Sequence, residues 1–410
     1  SLISYYYHIF THFIIHNLLI VKFDINLFFF LEFNKIEGGN MKSRILMLML
    51  FYNSIVFSQN NNFDFDGKLS DRAILFDKMN LPEVSQLKDN SIEKKLFRVL
   101  ENGSIEEVLP LKDEKGRTYY KFKPNDKFYS RYKCNSSDAS LTYKVCEKYI
   151  FYPKYGGHNH DGNIPPYTDW NNQQLTNPAC SPVTQVNNYS YIYFKAPEFA
   201  TRVEHTIQFY GACSGTYYDT IDIKIDGLVL LQPAWQDSLH GGVTYYQLVG
   251  ETPSHPVNHF ARPQTIDLLK QIAWEYYLSF STYPYFSKLE INDISLIWGG
   301  LFDINADWHK EHNEHRYGNQ VDLRRIAWIS PTTYIVMPKT QEDKLIEIAC
   351  NLGVQVKIES KDGTLYDLDE SEEKWRSTAP HFHLRFPISN EVYVPQDVSP
   401  DLSICYRYLK

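Results

Sequence analysis

Apolar and polar residues alternate most regularly between residues 189 and 225. Residues 189–194, 203–210 and 220–225 are short runs rich in Tyr, Ile and Val, side chains that suit a pleated surface. In the last run Ile221, Ile223 and Ile225 alternate with Asp222 and Lys224, the period of a half-buried strand. Pro197 and Gly215 punctuate the gaps. Several such strands at short spacing predict a β-sandwich-like module over residues 128–235. Upstream lies a linker and small N-terminal region, residues 59–127. There, residues 97–109 predict a hairpin around Asn102-Gly103, and residues 118–122 a further strand.

After Trp235 the period changes. Ile266, Leu269, Ile272, Ala273, Tyr276 and Phe280 recur at helical spacing, with Thr265 placed as an N-cap. Residues 340–351 repeat the logic: Thr340 and Asp343 imitate a capping box, and Gly353 stands where a helix ends in a left-handed residue. Residues 354–359 alternate as a strand and lead to a turn at Asp362-Gly363. Helices and strands intermix here, which predicts an α+β domain with a small antiparallel sheet over residues 240–395. The expected fold class is therefore multidomain, a β-rich module followed by an α+β domain.

At 410 residues the chain has room for two or three domains. A net charge of −8 without a basic block argues against nucleic acid as a partner, since phosphate binding needs clustered Lys and Arg. Residues 41–58 have the layout of a signal peptide. Met41-Lys42-Ser43-Arg44 is a short basic start, residues 45–52 are apolar but too few to span a bilayer, and Val56-Phe57-Ser58 offers a cleavage site before Gln59. No Cys follows the apolar run, so no lipid anchor is expected. Residues 1–40 are read as translated upstream sequence. The competing reading, a membrane anchor over residues 13–33, would place Lys22, Asp24 and Asn26 within lipid at high cost. The mature chain is expected to be secreted or periplasmic, without stable membrane insertion.

Six cysteines, Cys134, Cys146, Cys180, Cys213, Cys350 and Cys405, suit disulfides in an exported chain. The most local pairing is Cys134–Cys146, Cys180–Cys213 and Cys350–Cys405. A thiolate zinc site is disfavoured because no Cys-x-x-Cys pair occurs. Asn62, Asp64, Asp66 and Gly67 imitate the start of a calcium loop, but its twelfth position is Ala73, so a polar linker is the better reading.

The candidate chemistry lies near the C-terminus. His315 and Asp322 are separated by six residues, and His381-Phe382-His383 follows. Two imidazoles and a carboxylate are a donor set for a catalytic zinc ion, which keeps its fourth position open. On a strand His381 and His383 face one side, with Phe382, Leu384 and Phe386 on the other. Positions seven apart on one helix sit about 10 Å apart along the axis, too far for one ion. On one straight strand His315 and Asp322 would face opposite sides. Gly318 resolves this by permitting a turn, so that Asp322 begins a new strand. Between residues 309 and 315 the histidines and glutamates are misplaced for His-Glu-x-x-His and for its reverse. Trp308 either floors a substrate cleft or simply packs, His309 and His312 read as exposed polar helix residues that can also line the cleft, and Arg316 is a further candidate substrate contact. Arg324 and Arg325 are candidate anion contacts that also suit an ordinary surface. Gly299-Gly300 marks either a cleft wall or a tight turn. A second cluster, His158-Asn159-His160-Asp161, reads as a polar loop, because spacing places no third ligand beside it.

The run His315-Arg316-Tyr317-Gly318-Asn319-Gln320-Val321-Asp322, followed by His381-Phe382-His383, resembles the metal site of the penicillin-insensitive murein endopeptidases. It is also similar to that of the D-Ala-D-Ala carboxypeptidases and dipeptidases, in the wider group with lysostaphin and the hedgehog signalling domain. The shared elements are the His, the Gly three residues on and the Asp seven residues on. The resemblance covers residues 285–390, and residues 240–285 only by continuity. It implies Zn2+ held by His315, Asp322 and His383, with His381 as a non-ligand histidine that assists catalysis. It implies a zinc metallopeptidase that hydrolyses an amide bond in the peptide part of peptidoglycan. The dipeptidase branch carries a Glu three residues before the last His ligand, where this chain has Pro380, so the endopeptidase pattern fits better. The hedgehog domain shows that such a site need not hydrolyse anything. The alternative is thus an exported zinc-containing binding or adhesion module, its site closed by His309 or His312.

Overall fold

The alternating runs form strands whose apolar faces meet. The computed structural model describes residues 92–135, 142–181, 184–185, 189–211, 213–283, 288–309, 314–330, 332–360, 364–368, 380–387, 400–403 and 405. Every described residue belongs to one compact unit, Met79–Lys410. The signal-like stretch, the calcium-loop imitation, the Asp362-Gly363 turn and His312 lie outside the described residues. The described part is mostly β-sheet, with two α-helices.

A four-stranded sheet takes β1 (Ile92–Val99), β2 (Ile105–Val108), β5 (Lys127–Cys134) and β9 (Ser190–Lys195) in the order β2-β1-β5-β9. A larger sheet runs β3 (Leu111–Lys112), β4 (Thr118–Phe122), β11 (Gly215–Ile223), β10 (Thr201–Gly211), β6 (Thr142–Tyr152) and β7 (Ala179–Cys180), with β8 (Thr184–Gln185) also on β6. Leu96, Phe128 and Phe194 of the first sheet share one core with Phe122, Tyr149, Val203, Ile221 and Ile223 of the second. The expected hairpin is β1–β2, turning through Gly103 at φ +78°. The β-structure reaches back to Ile92, well upstream of residue 128. Charged β1 hides the signal: only Ile92 and Leu96 are buried, while Lys94 pairs with Asp219 and Arg98 with Asp126.

The disulfides are Cys134–Cys213, Cys146–Cys180 and Cys350–Cys405. Only the last matches the local pairing. Cys134 ends β5 and Cys146 lies within β6, successive strands that belong to different sheets, and Cys146 lies in register with Cys180 across β6–β7.

The remaining strands build a six-stranded sheet from β13 (Tyr246–Leu248), β15 (Leu289–Ile291), β16 (Gln320–Arg324), β21 (His381–Arg385), β19 (Gln355–Glu359) and β20 (Leu365–Tyr366), in that order. Two small pairs accompany it: β12 (Val229–Leu230) with β14 (Phe260–Ala261), and β17 (Ile326–Ser330) with β18 (Thr333–Val336). Helices α1 (Pro263–Ser279) and α2 (Lys339–Asn351) contribute Ile266, Leu269, Tyr276, Leu345 and Ile348 to a core shared with Val321, Leu323, Ile358, Phe382 and Leu384. Period-two alternation therefore puts Asp322, Glu359, His381 and His383 on the opposite face.

Both helices start earlier than expected, each at a proline: Pro263 is the first residue of α1 and Pro338 the N-cap of α2. Pro263 sits where a missing N–H costs nothing, and Thr265 is buried inside the turn. Pro338 precedes α2, and Asp343 bonds to Lys339 at 2.8 Å instead of capping. Gly353 follows α2 at φ +74°, as its position predicts. Among the described residues no helix is long and apolar enough to cross a membrane.

Candidate metal centre

Strands β16 and β21 are antiparallel neighbours, and their register sets Asp322 directly opposite His383. His383 Nδ1 lies 2.9 Å from Asp322 Oδ1. His315 enters from the loop before β16, with its Nε2 3.3 Å from Asp322 Oδ2. Gly318 makes that approach possible. Its φ is +70°, and an added Cβ would lie 2.5 Å from Leu228 Cδ2 and 3.1 Å from Ala261 Cα. The loop is pinned beside it by the Arg262 N–H donating to the Gly318 carbonyl at 2.8 Å. His315, Asp322 and His383 are buried, and their donor atoms lie within 4.8 Å of one another.

Each imidazole is oriented from behind. His315 Nδ1 donates to the Ile294 carbonyl at 2.8 Å, which presents Nε2 to Asp322. His383 Nε2 sits 3.0 Å from Glu314 Oε2, which presents Nδ1. Glu314 is itself gripped by Arg385, whose Nε donates at 2.6 Å while its other arm bonds the second carboxylate oxygen. Carboxylate-to-imidazole contacts of this kind fix ring and tautomer at metal sites.

Beside this trio stand His381 and Glu359, cross-strand partners on β21 and β19. His381 Nε2 is 3.1 Å from Glu359 Oε2 and 3.4 Å from Asp322 Oδ2. Glu359, Asp322 and His381 form a second group of converging donors that shares Asp322 with the first.

The electrostatics favour a cation. Burial works against the charged form of His383, yet Asp322, Glu314 and Glu359 hold its pKa well above the ordinary imidazole value. His315 and His381 are raised against the same burial, by Asp322 and by Glu359 with Asp322 respectively. Burial opposes ionisation of Glu359, but His381 and His383 hold it down at about 2. Asp293, whose carbonyl receives the Asp322 N–H, is pushed up to about 6 by burial and then by Asp322. Carboxylates thus hold the imidazoles in their protonated form, and a divalent ion would bind by replacing those imidazole protons. The donor chemistry and spacing also fit one: adjacent ligands of a tetrahedral ion with bonds of about 2 Å lie about 3.3 Å apart.

The other described sequence candidates have these contacts. Arg316 pairs with Glu198 at 3.0 Å. Trp308 packs on His158 and His160, with ring centres 4.9 and 4.5 Å away. His309 is exposed and pairs with Asp307 in a turn, not on a helix. Arg324 contacts Glu290, and Arg325 is buried against Glu342. The Gly299-Gly300 pair serves close backbone packing: a Cβ on Gly300 would lie 2.8 Å from Ala200 N. Glu314, Glu359 and Arg385 were not singled out by sequence reasoning. Arg385 alone left a readable sign, as a charge between apolar Leu384 and Phe386 on a buried strand.

No family model matches this chain, and no curated protein matches it in sequence.

Proposed function

We propose that this chain is an exported zinc hydrolase that cuts an amide bond in the peptide part of bacterial peptidoglycan. The observation that carries the reading is a three-donor cluster, His315, Asp322 and His383, with an acid–base pair, Glu359 and His381, at its side. Three protein ligands leave a position for exchange, which a catalytic site needs. Three disulfides suit an oxidising compartment. The resemblance of the His-x-x-Gly-x-x-x-Asp and His-x-His runs to the murein endopeptidases supplies the substrate class. In this reading the β-rich sheets are a sandwich-like module ahead of a metallopeptidase-like domain.

Zinc bound by the trio supplies a Lewis acid that polarises a carbonyl and acidifies water. Glu359, ionised at neutral pH, takes the proton as water adds to the scissile carbonyl carbon. It returns that proton to the amine as the C–N bond breaks. His381 orients the ionised Glu359 through the 3.1 Å contact of its Nε2, and that N–H donates to the oxyanion of the tetrahedral intermediate once Glu359 holds the proton. Glu359 thereby fills the role that Pro380 leaves empty.

Incubation of the full chain with purified muropeptides, read by mass spectrometry, tests this. Cleavage with uptake of one water is expected, lost with chelator and restored by zinc. Intact muropeptides in the presence of zinc would end the reading. A second reading, a closed non-catalytic zinc site, has one observation in its favour: Glu359 Oε2 is 3.5 Å from His383 Nδ1, near enough to become a fourth ligand.

The four-stranded sheet offers a docking face for the wall. Tyr129 contacts Tyr191, Tyr193 and Trp170 at centroid distances of 6.0, 5.6 and 6.2 Å, and Tyr191 and Tyr193 are 40% and 45% exposed. Replacing both exposed tyrosines with Ala is expected to weaken pull-down on insoluble peptidoglycan by about tenfold. Cleavage of soluble muropeptides should not change.

A further inference from the structure

A second set of histidines converges away from this centre. His158 and His160 follow β6, after the short 3-10 turn Pro153–Gly156. His255 lies between β13 and β14, and Asp303 follows the paired glycines. The four residues come from three stretches distant in sequence, which is why spacing placed no third ligand beside His158 and His160. The first two stretches are stitched together next to the cluster. The Asn159 N–H donates to the Ser254 carbonyl at 2.7 Å, and Asn159 Nδ2 to the Pro253 carbonyl at 3.0 Å.

The donor atoms point at one spot. His158 Nδ1 is 3.0 Å and His255 Nε2 3.2 Å from Asp303 Oδ1. His160 Nε2 is 3.5 Å from Asp303 Oδ2 and 3.3 Å from His158 Nδ1. These separations bracket the roughly 3.3 Å between neighbouring ligands of a tetrahedral ion with bonds of about 2 Å. The rings agree. His158, His160 and His255 have centroids 5.4, 5.3 and 5.2 Å apart in pairs, with interplanar angles of 78°, 78° and 72°. Three rings set nearly perpendicular at equal spacing surround a common point.

The surroundings close the site. His158, His255 and Asp303 are fully buried, and the His160 side chain is 7% exposed. Trp308 covers His158 and His160, Phe302 packs edge-on to His255, and the Trp308 backbone N–H donates to Asp303 Oδ2 at 2.7 Å. Among the described residues, the outward nitrogens His158 Nε2, His160 Nδ1 and His255 Nδ1 have no hydrogen-bond partner. The cluster's polar contacts are therefore directed inward.

We propose that His158, His160, His255 and Asp303 bind a structural zinc ion. Four protein donors complete a tetrahedron and leave no position for water, so the ion holds the loop after β6 to the loops around residues 255 and 303 and performs no hydrolysis. Nitrogen and carboxylate donors in this geometry suit zinc.

Zinc content per chain, measured by plasma mass spectrometry after equilibration with Zn2+ and desalting, tests the assignment. A variant with His315, Asp322 and His383 all replaced by Ala is expected to retain one zinc. Adding His160→Ala to that variant should remove it. In the otherwise unaltered chain, His160→Ala alone should lower the zinc content by one equivalent and leave muropeptide cleavage in place. Zinc content that His160→Ala and His255→Gln both leave unchanged overturns the assignment. So does a triple variant that keeps its near-ultraviolet circular dichroism yet holds no zinc. The first-site variant separates this outcome from any failure of the proposed hydrolase.

Discussion

Glu359→Gln is expected to slow muropeptide cleavage by about 10²–10⁴-fold, the usual worth of a positioned acid–base group, while zinc content stays the same. The substitution keeps size and shape but removes the ability to accept a proton. Glu359 lies at the end of β19, opposite His381, with its carboxylate 3.1 Å from that imidazole. The position is largely buried, so the amide stays in place instead of swinging into solvent. The loss should fall on kcat with KM little changed, because the proton moves only in the chemical step. His381→Ala should likewise keep zinc and lose rate within the same range. If Glu359→Gln instead lowered zinc content, Glu359 would be a ligand and the closed-site reading would replace the hydrolase. Full activity in either variant would remove that residue from the mechanism.

The convergence of His315, Asp322 and His383 was legible because each part leaves a local mark. His-x-His on a strand needs only alternation, and β21 does turn His381 and His383 to one face and Phe382 and Leu384 to the other. A glycine between His315 and Asp322 signals a turn, and Gly318 has the positive φ that the turn requires. The surrounding residues left weaker marks. Glu359 and Glu314 are ordinary acids in sequence, and they reach the site through cross-strand register and an ion pair with Arg385. Register is a long-range property that period alone does not set. The same limit explains the cysteines. Neighbouring strands in sequence can enter different sheets, so Cys134 and Cys146, twelve residues apart, have separate partners. Trp308 stood in sequence as either a cleft floor or a packing residue, and its ring lies against His158 and His160.

His383→Ala is expected to abolish zinc binding at the first centre, and Glu314→Gln to weaken it by only about 10–100-fold, the cost typical of losing a partner behind a ligand. The two residues touch, yet the physics differs. Removing His383 deletes one of three donors and leaves Asp322 buried without the imidazole at 2.9 Å. Glu314→Gln keeps an oxygen near His383 Nε2 but deletes the charge that fixes the ring and that Arg385 neutralises. The ring then loses part of its basicity and orientation, and the donor Nδ1 remains. Zinc titration against a competing chelator should therefore rank the native chain, Glu314→Gln and His383→Ala in falling order at this centre, with the His158 cluster unaffected in all three. Equal affinity in the Glu314→Gln variant would mean that the ring is held by packing alone. Undiminished zinc binding at this centre in the His383→Ala variant would show that the ion is held by other atoms, and the hydrolase proposal would lose its metal site.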